Sequence, residues 1–435
     1  MRMIELTREK FESFANKSPY NNYCQSANYG MLMAETGFDY TFIGYTTNDY
    51  EILAAGMFLT KKIGKTYYYA YCPKGFIINY DDADLVRRFT NNLIKYYKRK
   101  KVIFLKINPE IPIATIDINN DYNRITNSNI EILDNMKKIG FKKRKETEPL
   151  ELLQPKLTAL IDLKNYDINN LDKRTRNKIR STENKGLEFE IADASKIDVL
   201  YNFIRNMKNR NINYYRNFYN SFKKTNQADL ILIKVNYETY LLNSKKKVEE
   251  ELARNEELNE KIQQDPSEKN LKEKMNSDKI LEDYKQDVIY ATAGLKRNEE
   301  TYIAGAIVVK YGNKISIVIA GVDKNYNYLN PNYFLHHKIL EKYKDEYDIA
   351  DINGVANDFT NQSRFTGLNK FKFGFNPTIT EYIGELDLII SNWRFKIVEK
   401  NNLLSNEFSK KKDTTMKWYI KCRHKKRHCL HFLLQ

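Results

Sequence analysis

The segment from Leu241 to Val288 constrains the fold most, because it is rich in charge, lacks glycine and carries apolar residues at heptad-like spacing. Such spacing predicts two amphipathic helices that pack along one seam. Between them, the sequence Asp-Pro-Ser-Glu at 265–268 has residue types that start a new helix. We therefore predict an antiparallel helical hairpin. The predicted seam residues are Leu241, Val248, Leu252 and Ile262 on the first helix and Leu271, Met275, Leu281 and Val288 on the second, with Asn255 and Asn259 weakening the seam.

Strand-like and helix-like patterns alternate on both sides of this hairpin, which is typical of an α/β or α+β fold. Predicted strands lie at 40–45, 66–71, 157–163, 290–296, 302–309 and 315–322, and predicted helices at 82–98, 130–139, 171–186 and 197–209. With 435 residues, the chain is long enough for two globular units. We predict a first subdomain at 1–155, a second at 156–237 and 288–390, a helical arm at 238–287, and a C-terminal segment with a basic tail at 391–435.

The stretch NKFKFGFNP at 369–377 alternates apolar and basic residues, which is typical of a β-strand. In a strand, the aromatic rings of Phe371, Phe373 and Phe375 would line one face, and Lys370 and Lys372 would share the other. Gly374 would end the alternation and let a ligand approach the backbone. This pattern indicates a pocket edge for an anionic or carbonyl substrate, although an amphipathic strand with solvated lysines gives the same pattern.

The histidines argue against several catalytic mechanisms, because the first 335 residues contain none. A Ser-His or Cys-His site would have to use His336 or His337, which lie within an apparent helix. The run Cys422-x-His424-x-x-x-His428-Cys429 has zinc-ligand residue types at an unorthodox spacing in a lysine-rich tail. A disordered basic tail with incidental ligand types is the preferred explanation, so we predict no metal site.

Charge and cysteine content indicate the surroundings of the protein. A net charge of +16 suits a polyanionic partner, although a lysine- and asparagine-rich proteome produces the same excess. The four cysteines show no framework spacing, which is typical of a reducing compartment. The N-terminus is charged from its second residue, and no apolar run approaches the ~20 residues that span a bilayer. We therefore predict a cytoplasmic protein, or one that contacts the inner membrane face.

Several short motifs follow one another in a fixed order. These are Gln25-Ser26-x-x-Tyr29-Gly30, Pro73-Lys74-Gly75, Asn108-Pro109-Glu110, Arg210-x-x-x-Tyr214-Tyr215 and the lysine motif around Lys372. Each is loose alone, but the ordered set resembles the FemABX family of aminoacyl-tRNA-dependent aminoacyltransferases, over roughly residues 20–390. One departure is Met33, which stands where some members of that family carry a substrate-binding lysine.

The resemblance implies two subdomains of the GNAT-like (acyl-CoA N-acyltransferase-like) fold with an inserted helical arm. It implies transfer of glycine, alanine or serine to the stem-peptide amine of a peptidoglycan precursor, either lipid II or UDP-MurNAc-pentapeptide. Aminoacyl-tRNA would be the co-substrate, with no other cofactor. Lys372 would lie at the reaction centre as the catalytic residue. The residues implied in substrate binding are Arg210, Tyr214, Tyr215, Lys370 and, more weakly, Lys74.

The arm is similar to the tRNA-binding arms of some synthetases, while a charged hairpin is also typical of a spacer or a homodimer contact. The basic tail is suited to anionic lipid.

Two other functions stay open. An acetyl-CoA-dependent enzyme would need a Gln/Arg-x-x-Gly-x-Gly/Ala loop for pyrophosphate, and the sequence QSRFTG at 362–367 lacks that spacing. A non-catalytic RNA-binding protein would explain the charge and the 32 tyrosines, but not the lysine motif.

Overall fold

The computed structural model describes residues 1–143, 155–206, 210–297 and 299–400. The helices are α1 (Arg8–Ala15), α2 (Ala27–Ala34), α3 (Ala83–Arg99), α4 (Ile130–Ile139), α5 (Lys173–Thr182), α6 (Ile197–Ile204), α7 (Ile212–Lys223), α8 (Tyr237–Gln264), α9 (Glu268–Arg297), α10 (Pro331–Tyr343), α11 (Thr366–Phe373) and α12 (Asn392–Lys400). The strands are β1 (Arg2–Glu5), β2 (Asp39–Thr46), β3 (Ile52–Ile63), β4 (Tyr67–Cys72), β5 (Ile77–Ile78), β6 (Val102–Ile107), β7 (Pro112–Asp117), β8 (Asn123–Thr126), β9 (Phe141–Lys143), β10 (Leu157–Asp162), β11 (Leu187–Ala192), β12 (Ala228–Val235), β13 (Thr301–Tyr311), β14 (Lys314–Val322), β15 (Ile349–Gly354), β16 (Thr378–Tyr382) and β17 (Leu386–Ile389).

Two sheets form the body of the protein. The first has the order β1-β2-β3-β4-β6-β17-β9, with β5 paired to β3, and the second has the order β11-β12-β13-β14-β15-β10-β16-β7-β8. Two of the strand pairs that the structure describes are parallel, namely β4 with β6 and β14 with β15. Helix α3 joins the first pair and α10 the second, because parallel strands need a crossover rather than a hairpin. Both sheets therefore contain the same strand–helix–strand unit, which confirms the predicted fold class.

The two sheets exchange strands, so the boundary predicted at residue 155 does not separate them. Strands β7 and β8 come before that boundary, yet β7 pairs with β16 in the second sheet. Strand β17 falls within the range predicted for the second subdomain, yet it pairs with both β6 and β9 of the first sheet. The physical reason is that buried backbone N–H and C=O groups need hydrogen-bond partners. Strand β17 supplies such partners to β6 on one side and to β9 on the other. The subdomains predicted at 1–155 and at 156–237 with 288–390 therefore share strands.

Helix α3 illustrates how the sequence forms an element against its sheet. The Asp82 carboxylate accepts a hydrogen bond from the Leu85 N–H at 2.8 Å and so caps the helix start. Leu85, Phe89 and Leu93 recur at intervals of four and are buried against the first sheet. This confirms the helix predicted at 82–98, and α4 likewise confirms the helix predicted at 130–139.

The helical hairpin is confirmed by α8 and α9, but α9 is longer than predicted. The segment 290–296, predicted as a strand, is the C-terminal part of α9. Its small residues let the two helices approach closely, since a Cβ on Gly294 would lie 2.0 Å from the Tyr237 ring. The prediction was wrong because Tyr290 and Thr292 favour a strand locally, whereas the contact between the two helices decides here. No helix in the described parts of the chain combines the length and apolar character that crossing a bilayer requires.

The seam between α8 and α9 is more polar than predicted. Leu281 is buried, but Leu271 and Met275 are 46% and 73% exposed. At the centre, the Asn255 amide donates to the Ser277 hydroxyl at 3.2 Å, and that hydroxyl donates to the Glu251 carboxylate at 2.5 Å. Asn255 lies on the seam as predicted, and Ser277 and Glu251, which were not assigned to the seam, add hydrogen-bonded polar groups there.

The exchanged strand β17 predicts a specific stability effect. Leu388 is 2% exposed and packs in the core of the first sheet, so Leu388→Ala is expected to lower the free energy of unfolding by about 2–5 kcal/mol. Leu242→Ala is the matched control, because Leu242 is 70% exposed on the arm and its loss should change stability by less than about 0.5 kcal/mol. Urea unfolding of both variants measures the difference. Equal stabilities would show that β17 is dispensable to the first sheet.

Candidate active site at the junction of the two sheets

The Gln-Ser motif before α2 organises the backbone at one side of the junction. The Gln25 amide oxygen accepts from the Met57 N–H at 2.8 Å, and its amide nitrogen donates to the Pro73 carbonyl at 2.5 Å. The Ser26 hydroxyl caps α2 by accepting from the Tyr29 N–H at 3.2 Å. Both polar side chains are buried, so the motif serves to fix the preceding loop, including Cys24, against the turn that carries Lys74.

The Pro-Lys-Gly turn is held in a strained conformation by the end of β6. Lys74 has a φ of +62° and Gly75 a φ of +80°. The Lys74 N–H donates to the Asn108 side-chain oxygen at 2.9 Å, and a Cβ on Gly75 would lie 2.8 Å from the Pro109 Cα. Left-handed backbone is costly for lysine and persists only where its surroundings enforce it. The turn and the Asn-Pro-Glu segment therefore form one rigid unit that aims the Lys74 side chain.

A buried ion cluster joins the two sheets at this point. The Glu110 carboxylate lies 2.9 Å from the Lys74 ammonium and 3.0 Å from the Lys314 ammonium, and it accepts from the Asn22 amide at 2.9 Å. Lys74 follows β4 of the first sheet, whereas Lys314 begins β14 of the second. Burial by itself would raise the pKa of Glu110, but the charges and hydrogen bonds of Lys314 and Lys74 outweigh it and hold that pKa far below its usual range. Glu110 is therefore ionised at neutral pH.

A small cleft of about 10 Å³, which is room for about one water molecule, adjoins this cluster. Its lining residues are Lys74, Asn108, Pro109, Glu110, Pro155, Lys156, Tyr382, Gly384 and Glu385. The Lys74 ammonium lies 5.9 Å from the centroid of the Tyr382 ring, and burial raises the pKa of that phenol. Lys74 was predicted to bind substrate. The structure gives it an ion pair within the protein, so any contact with substrate has to compete with Glu110.

Cys24 lies next to the ion cluster, because its N–H donates to the Asn22 side-chain oxygen at 2.9 Å and the amide of that same side chain donates to Glu110. Burial raises the pKa of its thiol to about 12. The charge of Lys74 lowers this pKa, and the charge of Glu110 raises it. The thiol is therefore neutral at physiological pH, which argues against a nucleophilic role. Burial also raises the pKa of Tyr29, with Cys24 and Tyr214 adding to the increase and Arg210 opposing it. Tyr29 is therefore a neutral phenol in a region that also holds Cys24, Tyr214 and Arg210.

Arg210 and Tyr214 stand together at the start of α7. The Arg210 guanidinium carbon lies 4.6 Å from the centroid of the Tyr214 ring, and Asn211 caps the helix by accepting from the Tyr214 N–H at 3.0 Å. Tyr215, which was also predicted to bind substrate, is 2% exposed and packs against Tyr201 and Tyr214. The structure thus gives Tyr215 a supporting position behind Tyr214. The substrate roles of all three residues stay predictions.

The lysine motif forms helix α11, not the predicted strand. On a helix, residues two apart point in different directions. Lys372 is accordingly 6% exposed and donates to the Gly354 carbonyl at the end of β15, while Lys370 is exposed. The predicted face of paired ammonium groups does not exist. The prediction was wrong because alternation over seven residues also fits a short helix whose position is set by packing.

Packing on both sides fixes α11. The Asp172 N–H donates to the Gly374 carbonyl at 3.2 Å, and a Cβ on Gly374 would lie 2.0 Å from the Thr175 hydroxyl. On the other side, the His336 ring contacts Phe371 edge-on with a centroid separation of 4.9 Å. Burial lowers the pKa of His336 to about 4, and its Nδ1 bonds the Asn332 carbonyl. His336 is therefore neutral at physiological pH and supports the helix by packing.

Sequence reasoning missed two members of the junction. Lys314 begins an ordinary-looking strand after a turn, and nothing local marks it as a partner of Glu110. Asp351 on β15 accepts from the Thr158 hydroxyl at 2.7 Å. Burial by itself would lower the pKa of Lys314, but the charges of Glu110 and then Asp351 outweigh it and raise that pKa. In the described parts of the chain, no three His, Cys, Asp or Glu residues come together as a metal site. The run Cys422–Cys429 lies outside the described residues.

Comparisons with known proteins cover nearly the whole chain. The sequence profile of the FemAB family matches residues 6–401. Lipid II:glycine glycyltransferase of Staphylococcus epidermidis is 24% identical over 416 residues, which cover 92% of this chain and 95% of that protein. Aminoacyltransferase FemA of Staphylococcus epidermidis is 25% identical over 414 residues, which cover 88% and 95%. The crystal structure of FemX superposes with a TM-score of 0.70 at 21% identity and covers 92% of this chain and 100% of that one, which shows a shared fold.

The ion cluster predicts a large, pH-dependent stability effect. Glu110→Gln leaves two buried ammonium groups without their carboxylate, so the free energy of unfolding at pH 7 should fall by about 3–5 kcal/mol. Because the folded-state pKa of Glu110 is lowered, its contribution is fully present above the unfolded-state pKa of about 4.3 and is lost as pH falls below it. The difference between wild type and variant should be constant from about pH 8 to pH 5 and then shrink.

Urea unfolding at several pH values measures this difference. Glu131→Gln, at an exposed position on α4, is the matched control and should stay within about 0.5 kcal/mol of wild type. A Glu110→Gln protein as stable as wild type at pH 7 would show that the two lysines do not depend on this carboxylate.

Proposed function

We propose a function from one premise: the chain belongs to the FemAB family, whose profile spans residues 6–401. The protein transfers an aminoacyl group to the stem-peptide amine of a peptidoglycan precursor and so builds an interpeptide bridge. Aminoacyl-tRNA is the donor. The names of the relatives, lipid II:glycine glycyltransferase and aminoacyltransferase FemA, support glycine as the first amino acid to test, before alanine and serine, and lipid II as the acceptor in preference to UDP-MurNAc-pentapeptide.

The observation that carries this proposal is the position of Lys372. Its ammonium is buried at the end of β15 and is oriented by the Gly354 carbonyl. When the acceptor amine attacks the ester carbonyl of aminoacyl-tRNA, a C–N bond forms and the carbonyl oxygen becomes negatively charged. A fixed cation at that oxygen stabilises the tetrahedral intermediate. The ester C–O bond then breaks, and the ribose oxygen leaves.

Proton transfer in this mechanism uses the donor RNA. The attacking amine loses a proton as the C–N bond forms, and the leaving ribose oxygen needs one. His336 is poorly suited to relay it, because its pKa is lowered to about 4 and its Nδ1 is engaged with a backbone carbonyl. The terminal hydroxyl or phosphate of the tRNA is placed to move the proton instead. A pH profile of kcat that reports a protein group with a pKa near 7 would contradict this route.

Arg210 and Tyr214 are the acceptor-binding residues in this proposal. A guanidinium binds phosphate or carboxylate through two parallel hydrogen bonds, which suits the diphosphate or the stem-peptide carboxylate of the precursor. The Tyr214 ring holds the guanidinium plane through their cation–π contact. Tyr215 supports Tyr214 from behind. Lys370, exposed on α11, receives no role.

The first prediction of the proposal concerns Lys372. Replacing it by Met keeps most of the volume and removes the charge, so kcat for aminoacyl transfer should fall about 10²–10³-fold. Lys370→Met is the matched control on the same helix and should keep kcat within about twofold. Transfer of radiolabelled glycine from glycyl-tRNA to lipid II measures both, with circular dichroism as the check on folding.

The outcomes separate the alternatives. Equal losses in both variants would support the paired-lysine arrangement that the structure contradicts. Transfer of an acetyl group from acetyl-CoA, with none from any aminoacyl-tRNA, would identify an N-acyltransferase of another class. Binding of tRNA without transfer to any acceptor would identify a non-catalytic RNA-binding protein.

The second prediction concerns Arg210. Arg210→Gln should raise KM for the precursor about tenfold or more while KM for aminoacyl-tRNA stays near that of wild type. Arg210→Lys should recover little, because an ammonium lacks the bidentate geometry. Arg216→Gln on the same helix is the control, since Arg216 pairs with Asp198 at the surface at 2.7 Å. A normal KM for precursor in Arg210→Gln would remove Arg210 from the acceptor site.

A further inference from the structure

The positive charge of this chain is not on its arm. Helices α8 and α9 with their turn, residues 237–297, contain 12 Lys and Arg residues against 14 Asp and Glu residues. The chain as a whole has a net charge of +16. A surface that binds the phosphates of RNA through charge needs an excess of cations. The arm has slightly fewer cations than carboxylates, so another surface must supply the excess of positive charge.

Helix α5 is the described element with the strongest unopposed positive charge. Its ten residues include five cations and no acid, namely Lys173, Arg174, Arg176, Lys178 and Arg180. None of the five forms an ion pair with a carboxylate in the described part of the chain. Arg176 and Arg180 instead donate to the backbone carbonyl and the side chain of Asn169, at 2.6 and 3.1 Å. The Asp172 carboxylate is used in capping the helix.

Three of these five cations, Lys173, Arg174 and Lys178, border an open groove. The groove is lined by Asp172, Lys173, Arg174, Asn177, Lys178 and Ser181, with a volume of about 560 Å³. That volume lies in the range of pockets that hold a small molecule, so the groove can admit a nucleotide-sized group. Lys173 and Arg174 are exposed at its edge, where their charges reach solvent.

The groove lies next to the helix that carries Lys372. Thr175 of α5 touches Gly374 at the end of α11, and the Asp172 N–H bonds its carbonyl. The Lys178 ammonium lies 3.1 Å from the Tyr333 hydroxyl and 4.3 Å from that ring, and the same ring contacts Phe371. An RNA strand that follows α5 would therefore bring its end towards the lysine motif.

We propose that the basic face of α5, made of these five cations, binds the phosphates at the acceptor end of aminoacyl-tRNA and guides the esterified terminus towards Lys372. The inference rests on the proposed function and adds the donor's binding surface to it. A helix of ten residues is about 15 Å long, so its cations can follow several consecutive phosphates. The arm then serves a purpose other than the main electrostatic contact with RNA.

The test removes two charges from each candidate surface. One variant carries Lys173→Gln and Arg174→Gln on α5, and the other carries Lys269→Gln and Lys272→Gln at exposed positions on the arm. All four side chains are exposed, so both proteins should fold like wild type. Filter binding of deacylated tRNA over a range of salt concentrations, and KM for glycyl-tRNA and for lipid II, are measured for each.

The α5 variant should bind tRNA about tenfold more weakly, raise KM for glycyl-tRNA similarly and leave KM for lipid II unchanged. The slope of log K against log salt should become shallower by about 1.5, since each lost phosphate contact removes about 0.7–0.9. The arm variant should match wild type in all of these values.

Three results would overturn the inference while leaving the transferase intact. In the first, the arm variant loses tRNA binding and the α5 variant keeps it. In the second, the α5 variant changes only KM for lipid II, which would assign the groove to the acceptor. In the third, it loses only binding to vesicles of phosphatidylglycerol, which would assign α5 to the membrane surface. A wild-type protein that neither binds tRNA nor transfers glycine would instead contradict the proposed function itself.

Discussion

The contact of Glu110 with Lys74 and Lys314 is the interaction on which the junction depends. It joins a turn of the first sheet to the first residue of a strand in the second sheet, inside the protein. Two ammonium groups share one carboxylate, so the cluster keeps an excess positive charge even when it is fully formed.

Rigid supports, rather than loops, hold the other residues of the site in position. Gln25 and Ser26 hold one wall through backbone hydrogen bonds, and Asn108 holds the strained turn at Lys74. Helix α11 is enclosed between α5 and α10, with glycine at the point where Thr175 leaves no room for a Cβ. A catalytic ammonium needs such support, because transition-state stabilisation depends on charges that are already oriented. The ordered motifs of the sequence therefore include several residues that serve geometry and touch no reacting atom.

Much of the fold could be predicted from the sequence, because long periodic segments carry their own signal. The helix at α3 and the strands at β13 and β14 were predicted with small errors at their ends, whereas the second helix of the arm runs to Arg297 instead of residue 287. Short segments were less reliable. The strand predicted around Lys372 is a helix, because packing between α5 and α10 outweighs a seven-residue alternation. The pairing of Glu110 with Lys314 had no local signal, since 204 positions separate them. The proximity of Arg210 and Tyr214 was easier to predict, because residues four apart adjoin on a helix or at its end.

The exchange of strands has a consequence for synthesis of the protein. The ribosome releases the chain from its N-terminus, and the first sheet obtains the strand between β6 and β9 only when residues 386–389 emerge. Until then the edge of β6 and its backbone groups lack their partner strand, although more than three quarters of the chain has been made. The N-terminal half therefore cannot complete folding ahead of the C-terminal half. Nascent chains of this protein should need protection from aggregation for most of their translation, in contrast to proteins whose domains fold one after another.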